Sequence, residues 1–265
     1  MTKIIVSLTS YPARISNVGM SIYLLLNKQY VKPNDIYIWL AKSEFPNGVS
    51  DLPADLLRMA QLPQVHLMWV DKNTFAHKKH EIFKYASKDD LVFLVDDDVC
   101  YSNDLIQRCL HAHDKFPNAI VGYNHYSQHI YNGYRILYNE PNIDWSIPRF
   151  DTRLCTQCMI PAYLYPQQAL LSENIVKRDV LCPVCDETWL DPFRVYANIP
   201  ILHLNYGWGI DISSNISHQN GLCKYTHLID SNGYEKRDNW LKNVLLAFPE
   251  FLSVYKTKWK YGIQH

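Results

Sequence analysis

The chain has 265 residues, enough for one large domain with a substantial core, and 48% of them are hydrophobic while 20% are charged. This balance is typical of a globular protein and excludes a disordered or collagen-like chain. Basic and acidic side chains number 26 each, and the resulting formal charge of zero argues against DNA or RNA as the main partner. The formal charge is compatible with a small anionic ligand.

The first residues lead directly into a strand-like apolar run, Ile4-Ile5-Val6. They lack the basic start, the apolar stretch and the small-residue cleavage site of a signal peptide. Nor does any apolar stretch approach the ~18 residues of a membrane-spanning helix. We therefore expect a cytoplasmic protein, in which disulfides are a poor explanation for the seven Cys.

Strands and helices alternate through the first part of the chain. Short apolar runs that end in polar residues predict buried strands at 3–8, 36–41, 65–70 and 91–95. Helical apolar spacing predicts helices at 17–28, 53–61 and 77–87. This alternation predicts an α/β fold with a mainly parallel sheet flanked by helices, and ligands bind beyond the carboxyl ends of the strands in such folds.

The second part of the chain is less regular. A helix at 103–115 and a strand at 119–123 are followed by Asn132-Gly133, which predicts a tight hairpin turn. Further helices are predicted at 165–174, 186–197 and 236–247. No internal repeat is present, so we treat residues 1–265 as a single domain.

Three consecutive carboxylates, Asp96, Asp97 and Asp98, follow the fourth predicted strand. They repel one another and are costly to bury, so they require a compensating positive charge. Mn²⁺ or Mg²⁺ is the simplest, because such cations prefer oxygen ligands and keep substrate phosphates in their shell. The alternative is an acidic loop that caps the next helix near Asn103 or Asp104.

Five segments carry a resemblance to a known enzyme family. They are Ser7-Leu8-Thr9-Ser10-Tyr11-Pro12-Ala13-Arg14-Ile15, Lys78-Lys79, Val95-Asp96-Asp97-Asp98-Val99-Cys100-Tyr101, Tyr165-Pro166 and Asp186-Glu187-Thr188-Trp189-Leu190. They resemble bacterial glycosyltransferases of the GT-A type, especially a group associated with capsular and lipopolysaccharide sugars. The resemblance implies one GT-A-like (Rossmann-like) catalytic domain, with a nucleotide-sugar-binding half at 1–125 and an acceptor-binding half at 126–265.

The same resemblance implies a donor site in the first half. The loop after the first strand holds the nucleotide in such enzymes, which makes Thr9, Tyr11 and Arg14 donor contacts, although Pro12 could simply set a turn there. The forked guanidinium of Arg14 suits phosphate. Further implied donor contacts are Asp71 for the base or ribose, Lys79 for the diphosphate, and Asp96 and Asp97 beside the metal. An exposed strand end and a solvated helix charge are the alternatives for Asp71 and Lys79.

Metal ligands are implied in both halves. The resemblance makes Asp96 and Asp98 ligands of Mn²⁺ or Mg²⁺, and many such enzymes add a C-terminal His. His218 is the first candidate for that ligand, with His227 and His203 as alternatives. Each His taken alone is as well explained by a structural role.

The segment that begins at Asp186 resembles the acidic pair that inverting enzymes of this fold place beside the acceptor. Glu187 is then the general base that takes the proton of the acceptor hydroxyl, and Asp186 orients it or binds the acceptor. The alternative is a pair of acids in the first turn of a helix, where the helix dipole favours them. The family pattern is usually Asp-Asp, and the longer side chain of Glu187 departs from it.

Two cysteine pairs have metal-like spacing. They are Cys155 with Cys158 and Cys182 with Cys185, and residues 159–181 lie between them. This gap is near but beyond the ~15 to 20 residues of a zinc ribbon. A closed structural Zn²⁺ site and plain burial of free thiols are both consistent with the pattern.

The resemblance implies transfer from a nucleotide-sugar, with a UDP-sugar favoured, to a glycan or lipid-linked acceptor in bacterial surface polysaccharide synthesis. A basic, aromatic tail at 256–261 could touch the inner face of the cytoplasmic membrane, or it is a solvated end. Two rival functions stay open: a Mg²⁺-dependent phosphatase or phosphotransferase, and a zinc-ribbon binding module.

Overall fold

The computed structural model describes the backbone of residues 2–125, 130–131, 135–136, 149–151, 155–204, 209–211 and 233–254. Side chains are described for residues 2–122, 158–202, 204 and 239–254. The tail at 256–261, His218 and His227 lie outside these residues, as does the side chain of His203.

The first half alternates strands and helices as the apolar runs predict. The strands are β1 (Ile4–Thr9), β2 (Asp35–Ala41), β3 (Val65–Val70), β4 (Leu91–Leu94), β5 (Val99–Tyr101) and β6 (Ile120–His125). The α-helices are α1 (Ile15–Asn27), α2 (Ala54–Met59) and α3 (Leu105–Lys115), and 3₁₀ segments lie at Gly48–Asp51 and Phe75–Lys84.

The second half contains shorter strands and three α-helices in its described residues. The strands are β7 (Ile130–Tyr131), β8 (Arg135–Ile136), β9 (Arg149–Asp151), β10 (Cys155–Pro161), β11 (Ile201–His203) and β12 (Gly209–Asp211). The helices are α4 (Ser172–Leu181), α5 (Asp186–Tyr196) and α6 (Gly233–Ala247), and 3₁₀ turns lie at Ala162–Leu164 and Gln167–Leu170. The predicted hairpin is confirmed, because β7 and β8 pair antiparallel on either side of Asn132-Gly133.

Eight strands form one sheet in the order β3-β2-β1-β4-β10-β6-β11-β9. The first four strands are parallel to one another, and β6 and β11 are also a parallel pair. Three further pairs, β10 with β4 and β6, and β11 with β9, are antiparallel. The α/β fold is therefore confirmed, with a block of four parallel strands whose carboxyl ends share one edge.

Helices cover both faces of this sheet because its strands alternate apolar side chains between two cores. On one face, Val6 and Phe93 pack with residues of α1, α2 and α3. On the other face, Ile5 and Val92 pack with α5, α6 and the 3₁₀ segment Phe75–Lys84. No helix in the described part of the chain is long and apolar enough to cross a bilayer.

Two helix predictions need correction. The segment predicted as a helix at 77–87 is a 3₁₀ segment, in which four consecutive side chains, His77 to His80, are all buried. The α-helix predicted at 165–174 is wrong: extended backbone at Leu171 separates a 3₁₀ turn from α4. Apolar spacing could not predict α4, since Val176 and Val180 are exposed and its buried side chains include Asn174 and Arg178.

Candidate functional site

A cleft of about 190 Å³ opens at the carboxyl ends of the four parallel strands. Its walls come from the segments that follow β1, β2, β3 and β4, which is where ligands bind in such sheets. It is lined by Thr9, Ser10, Tyr11, Arg14, Glu44, Phe75, Ala76, Lys78, Lys79, Asp96 and Asp97. Most of the predicted donor contacts are therefore brought together in one place.

The middle carboxylate of the acidic triplet, Asp97, is held from three sides. Its side chain accepts hydrogen bonds from Ser10 Oγ at 2.5 Å and from Arg14 Nη1 at 3.0 Å. Its backbone carbonyl accepts a hydrogen bond from Ser21 Oγ at 2.8 Å. Burial raises the pKa of Asp97 although Arg14 and Ser10 oppose this shift. Asp97 thus joins the end of β4 to the start of α1.

Arg14 also forms an ion pair with Asp98 through Nη2. Burial disfavours the guanidinium, but Asp97 and Asp98 outweigh this effect and raise the pKa of Arg14. The Nε of Arg14 is buried and has no hydrogen-bond acceptor among the described residues. A buried donor without an acceptor is costly.

Asp96 is the member of the triplet with the most exposed side chain, at 34%, and it faces the cleft. Its carboxylate Oδ1 lies 3.2 Å from Lys79 Nζ. Its backbone N–H donates to the hydroxyl of Tyr101 at 2.7 Å, which fixes the turn between β4 and β5. Asp104, at the N-terminal cap of α3, makes no capping bond with its side chain, so helix capping does not account for the acidic segment.

Lys79 lies between two carboxylates at the floor of the cleft. Its Nζ is 3.2 Å from Asp96 Oδ1 and 3.2 Å from Asp186 Oδ2, and its side chain is only 4% exposed. Burial acts against the ammonium, but Asp186, Asp96 and Glu187 raise the pKa of Lys79 well above its usual value. The solvated helix charge considered as an alternative for Lys79 is therefore wrong.

Asp186 is buried behind Lys79 and does not line the cleft. Its Oδ2 also accepts a hydrogen bond from His80 Nε2 at 2.8 Å, and His80 Nδ1 lies 3.3 Å from the hydroxyl of Tyr165. Burial opposes ionisation of Asp186, yet Lys79 and His80 hold its pKa below the usual range. Asp186 is therefore an ionised partner of Lys79.

Lys78, which also lines the cleft, has different partners from Lys79. Its Nζ donates to Glu44 Oε2 at 2.9 Å and to Asn73 Oδ1 at 3.1 Å. Asn73 Oδ1 also accepts from the backbone N–H of Phe75, whose φ of 51° lies in the left-handed region. A bulky residue held in that region is strained, and such strain clusters at ligand sites.

Glu187, the predicted base, is partly exposed and is not among the residues that line the cleft. Its Oε2 accepts a hydrogen bond from Cys185 Sγ at 3.0 Å. It lines a small cavity of about 20 Å³ together with Cys158, Leu190 and Arg194. Glu187 also contributes to the raised pKa of Lys79, so the base assignment remains a prediction at a residue close to the cleft floor.

Two predicted donor contacts have local protein partners. Thr9 lines the cleft, but its hydroxyl donates to the carbonyl of Trp39 at 2.8 Å and so ties β1 to β2. Asp71 has a side chain that is 90% exposed and pairs with Lys42 at 2.6 Å. Asp71 is not among the residues that line the cleft, and its contact with a base or ribose stays a prediction.

Carboxylates and cations pair with one another at the cleft floor. Asp96, Asp97, Asp98 and Asp186 are the carboxylates, and Arg14 and Lys79 are the cations. Oxygen ligands of this kind suit a divalent cation, which Asp96 and Asp98 are predicted to bind. Among the described residues, His, Cys, Asp and Glu form no group of three or more that could hold a metal. Phosphates and water would have to complete the shell, and His218 lies outside the described residues.

The structural zinc remains a prediction as well. Cys158, Cys182 and Cys185 are buried, and Cys182 Sγ donates to the carbonyl of Cys185 at 3.1 Å. The side chain of Cys155, the fourth proposed ligand, lies outside the described residues.

Sequence reasoning missed several residues of the cleft and its floor. Ser10 and Lys78 stand in the segments that carry the family resemblance, and their position beside Tyr11 and Lys79 was the only available signal. Tyr165 also stands in such a segment, which gave no role for it. Glu44 and His80 gave no signal. The contacts of Glu44, His80 and Tyr165 span 34, 106 and 85 residues.

The sequence matches no protein-family model and none of the curated proteins with which it was compared. Solved structures resemble it in fold. TarS of S. aureus, residues 1–349, is 9% identical with a TM-score of 0.52, over 93% of this chain and 72% of that chain. The 2-C-methyl-D-erythritol 4-phosphate cytidylyltransferase (IspD) of Francisella tularensis is 12% identical with a TM-score of 0.50, over 83% and 99%. At these identities the likeness establishes the fold, which is GT-A-like and Rossmann-like.

Proposed function

We propose that this protein is a metal-dependent glycosyltransferase that uses a nucleoside-diphosphate sugar as its donor. The observation that carries this proposal is the meeting of Arg14 and Lys79 with the acidic triplet at one cleft. Cations suit a diphosphate, and carboxylates suit a metal that binds the same diphosphate. Few other ligands require both kinds of charge at one point.

Different residues of the cleft bind the phosphates of the donor and the metal. Arg14 offers its guanidinium, and Lys79 offers its ammonium, to phosphate oxygens. Asp96 and Asp98 hold Mn²⁺ or Mg²⁺, with His218 as the proposed protein ligand from the second half. The metal, when bound, stabilises the negative charge that develops on the departing diphosphate.

Glu187 is the proposed base for the acceptor. It takes the proton of the attacking hydroxyl as the new bond to the anomeric carbon forms, which leads to inversion at that carbon. Its nearness to Lys79 and its position at the start of α5 support this role. The proposed donor is a UDP-sugar, and the proposed acceptor is a glycan or lipid-linked sugar of a bacterial surface polysaccharide.

The similar structures agree with a nucleotide ligand. The F. tularensis protein is by name a cytidylyltransferase, and such an enzyme handles nucleotide phosphates in the same fold. A phosphatase with an aspartyl nucleophile at the end of the first strand finds no support, since that strand ends in Thr9 and Ser10. The extended sheet with helices on both faces also differs from a zinc ribbon.

The test is a thermal-shift screen against nucleoside diphosphates, nucleoside triphosphates and nucleotide-sugars, each with Mn²⁺ and with EDTA. A ligand that binds only the folded state raises its stability, so we expect a Mn²⁺-dependent shift with UDP or a UDP-sugar. Lys79→Met should reduce the shift, whereas Lys84→Met, in the same segment but pairing with Glu81 at the surface, should retain it.

Other outcomes of the screen would change the proposal. A shift with nucleoside triphosphates alone would point to nucleotidyl transfer. No shift with any nucleotide, in protein shown to be folded, would remove the donor site and return the phosphotransferase and the zinc module to consideration.

A further inference from the structure

A chain of buried polar side chains runs from the cleft into the protein behind Lys79. Lys79 Nζ lies 3.2 Å from Asp186 Oδ2, which accepts a hydrogen bond from His80 Nε2 at 2.8 Å. The other ring nitrogen of His80 lies 3.3 Å from the hydroxyl of Tyr165. The ring of Tyr165 stacks on Phe83, with centroids 3.8 Å apart, which fixes the inner end of the chain.

The hydrogen bonds from Tyr165 through His80 are directed towards Asp186. Burial lowers the pKa of His80 even though Asp186 opposes the shift, so the ring is neutral and donates through Nε2. Its Nδ1 is then the acceptor for Tyr165, whose pKa burial raises, so that the phenol keeps its proton. Asp186 accepts at the end of this sequence and faces the ammonium of Lys79.

Asp186 is poorly placed to act on an acceptor. A single oxygen, Oδ2, serves both His80 and Lys79, and the side chain is 4% exposed. Asp186 lines the small cavity around His80 and Tyr165 and not the cleft. A carboxylate in this setting serves as a fixed counter-ion, in contrast to the partly exposed Glu187.

We propose that Asp186, His80 and Tyr165 are positioning residues, which together hold the ammonium of Lys79 at the floor of the cleft for a phosphate group of the ligand. This inference rests on the proposed function, because it takes the cleft to bind a diphosphate. It replaces the acceptor-binding role that the resemblance implied for Asp186.

These three side chains are needed because Asp96, the other partner of Lys79, is also a proposed ligand of the metal. Asp96 faces the cleft and is also a proposed metal ligand, so its carboxylate has two competing cations. A buried ammonium without a counter-ion is strongly disfavoured. Asp186 remains beside Lys79 whichever way Asp96 turns, and His80 keeps Asp186 in place.

For Asp186→Asn, the proposal predicts a change in anion affinity opposite to the one expected from charge alone. Asp186→Asn removes a negative charge from the neighbourhood of an anion site, and simple Coulomb attraction then predicts tighter anion binding. If Asp186 positions Lys79, the same variant binds anions more weakly. We expect Lys79→Met to weaken binding about tenfold, the range of one charge-assisted hydrogen bond, and Asp186→Asn to approach that loss.

The experiment is calorimetric titration of the full chain with inorganic pyrophosphate in the presence of Mg²⁺. The proposal is supported if Asp186→Asn binds pyrophosphate more weakly than the wild type and if the Lys79→Met/Asp186→Asn double variant binds it no more weakly than Lys79→Met. Asp191→Asn is the matched control, because Asp191 is another buried acid of α5 but pairs with Arg194. Equal or tighter binding by Asp186→Asn would overturn the proposal.

A second pair of variants tests the positioning role if Asp186→Asn does not fold. His80→Gln keeps an N–H donor for Asp186, whereas His80→Leu removes it without changing any formal charge. We expect several-fold weaker pyrophosphate binding in the Leu variant and near wild-type binding in the Gln variant. Equal affinities in the two would overturn the positioning role. Wild-type protein that binds neither pyrophosphate nor any nucleoside diphosphate would instead remove the proposed function, and this inference with it.

Discussion

Arg14 Nη1 and Asp97 Oδ1 lie 3.0 Å apart at the cleft floor although 83 residues separate them in the chain. Arg14 directly precedes α1, and Asp97 follows β4. The parallel pairing of β1 with β4 brings these two segments to the same edge of the sheet. The ion pair therefore joins the two loops from which most of the cleft floor is built.

Arg14→Met should lower the stability of the protein markedly. Among the described residues, the change leaves the buried Asp97 with Ser10 as its side-chain hydrogen-bond partner, and removing one partner of a buried pair typically costs about 3–5 kcal/mol. Urea unfolding measures the loss. Arg108→Met breaks a more exposed pair with Asp104 and should cost below about 1 kcal/mol. Equal losses in the two variants would contradict the structural role of the Arg14 pair.

Asp98→Asn should remove the metal dependence of donor binding. With one proposed ligand neutralised, the affinity for a nucleoside diphosphate in Mn²⁺ should fall to the value measured in EDTA. Titration calorimetry under both conditions provides the comparison, and Asp104→Asn is the control at an exposed acid near the same turn. An Asp98→Asn protein that still gained affinity from Mn²⁺ would place the metal elsewhere.

The sequence predicted the location of the cleft better than its internal contacts. The predicted strands at 3–8 and 91–95, which end just before Thr9 and Asp96, were sufficient to place both residues at one edge of a parallel sheet. The roles of His80 and Tyr165 could not be read in this way. They depend on 3₁₀ winding, which buries consecutive side chains that α-helical spacing would distribute between core and solvent. They also depend on side-chain contacts that span tens of residues.

The separate positions of Asp186 and Glu187 could not be predicted from the sequence either. The acidic pair that opens α5 was predicted correctly as the start of a helix, and its two members were treated as one catalytic unit. The fold separates them, because adjacent residues at the start of a helix point about 100° apart. Asp186 consequently meets Lys79 in the interior, while Glu187 meets Cys185.

Glu187→Gln should separate binding from turnover. The amide keeps the size of the side chain but cannot take a proton, so donor binding should be unchanged while transfer falls about 10² to 10⁴-fold. Thermal shift reports the first quantity, and product formation from the identified donor and acceptor reports the second. Glu173→Gln, in the first turn of α4, is the control. Near-normal turnover in Glu187→Gln would require another base.

Stability should fall in mild acid because of His77. This side chain is buried, its Nε2 lies 2.9 Å from the carbonyl of Cys182, and burial together with Arg178 lowers its pKa from 6.5 to about 3. Between these two values the unfolded chain binds a proton that the folded protein does not. Neutral His77 therefore does not reduce the free energy of unfolding above about pH 6.5. As the pH falls towards 3, the free energy of unfolding decreases by at most ~1.4 kcal/mol per pH unit.

His77→Gln isolates this contribution, since the amide retains an N–H donor for the Cys182 carbonyl but does not titrate in this range. Urea unfolding between about pH 6.5 and 4.5 should show a loss of stability that is greater in the wild type by ~2 kcal/mol. Carboxylates titrate in both proteins, and their contribution cancels in the difference. His111→Gln, at an exposed position of α3, should follow the wild type. Parallel curves for wild type and His77→Gln would mean that His77 accepts its proton in the folded state, and that the interior beside α4 is open to water.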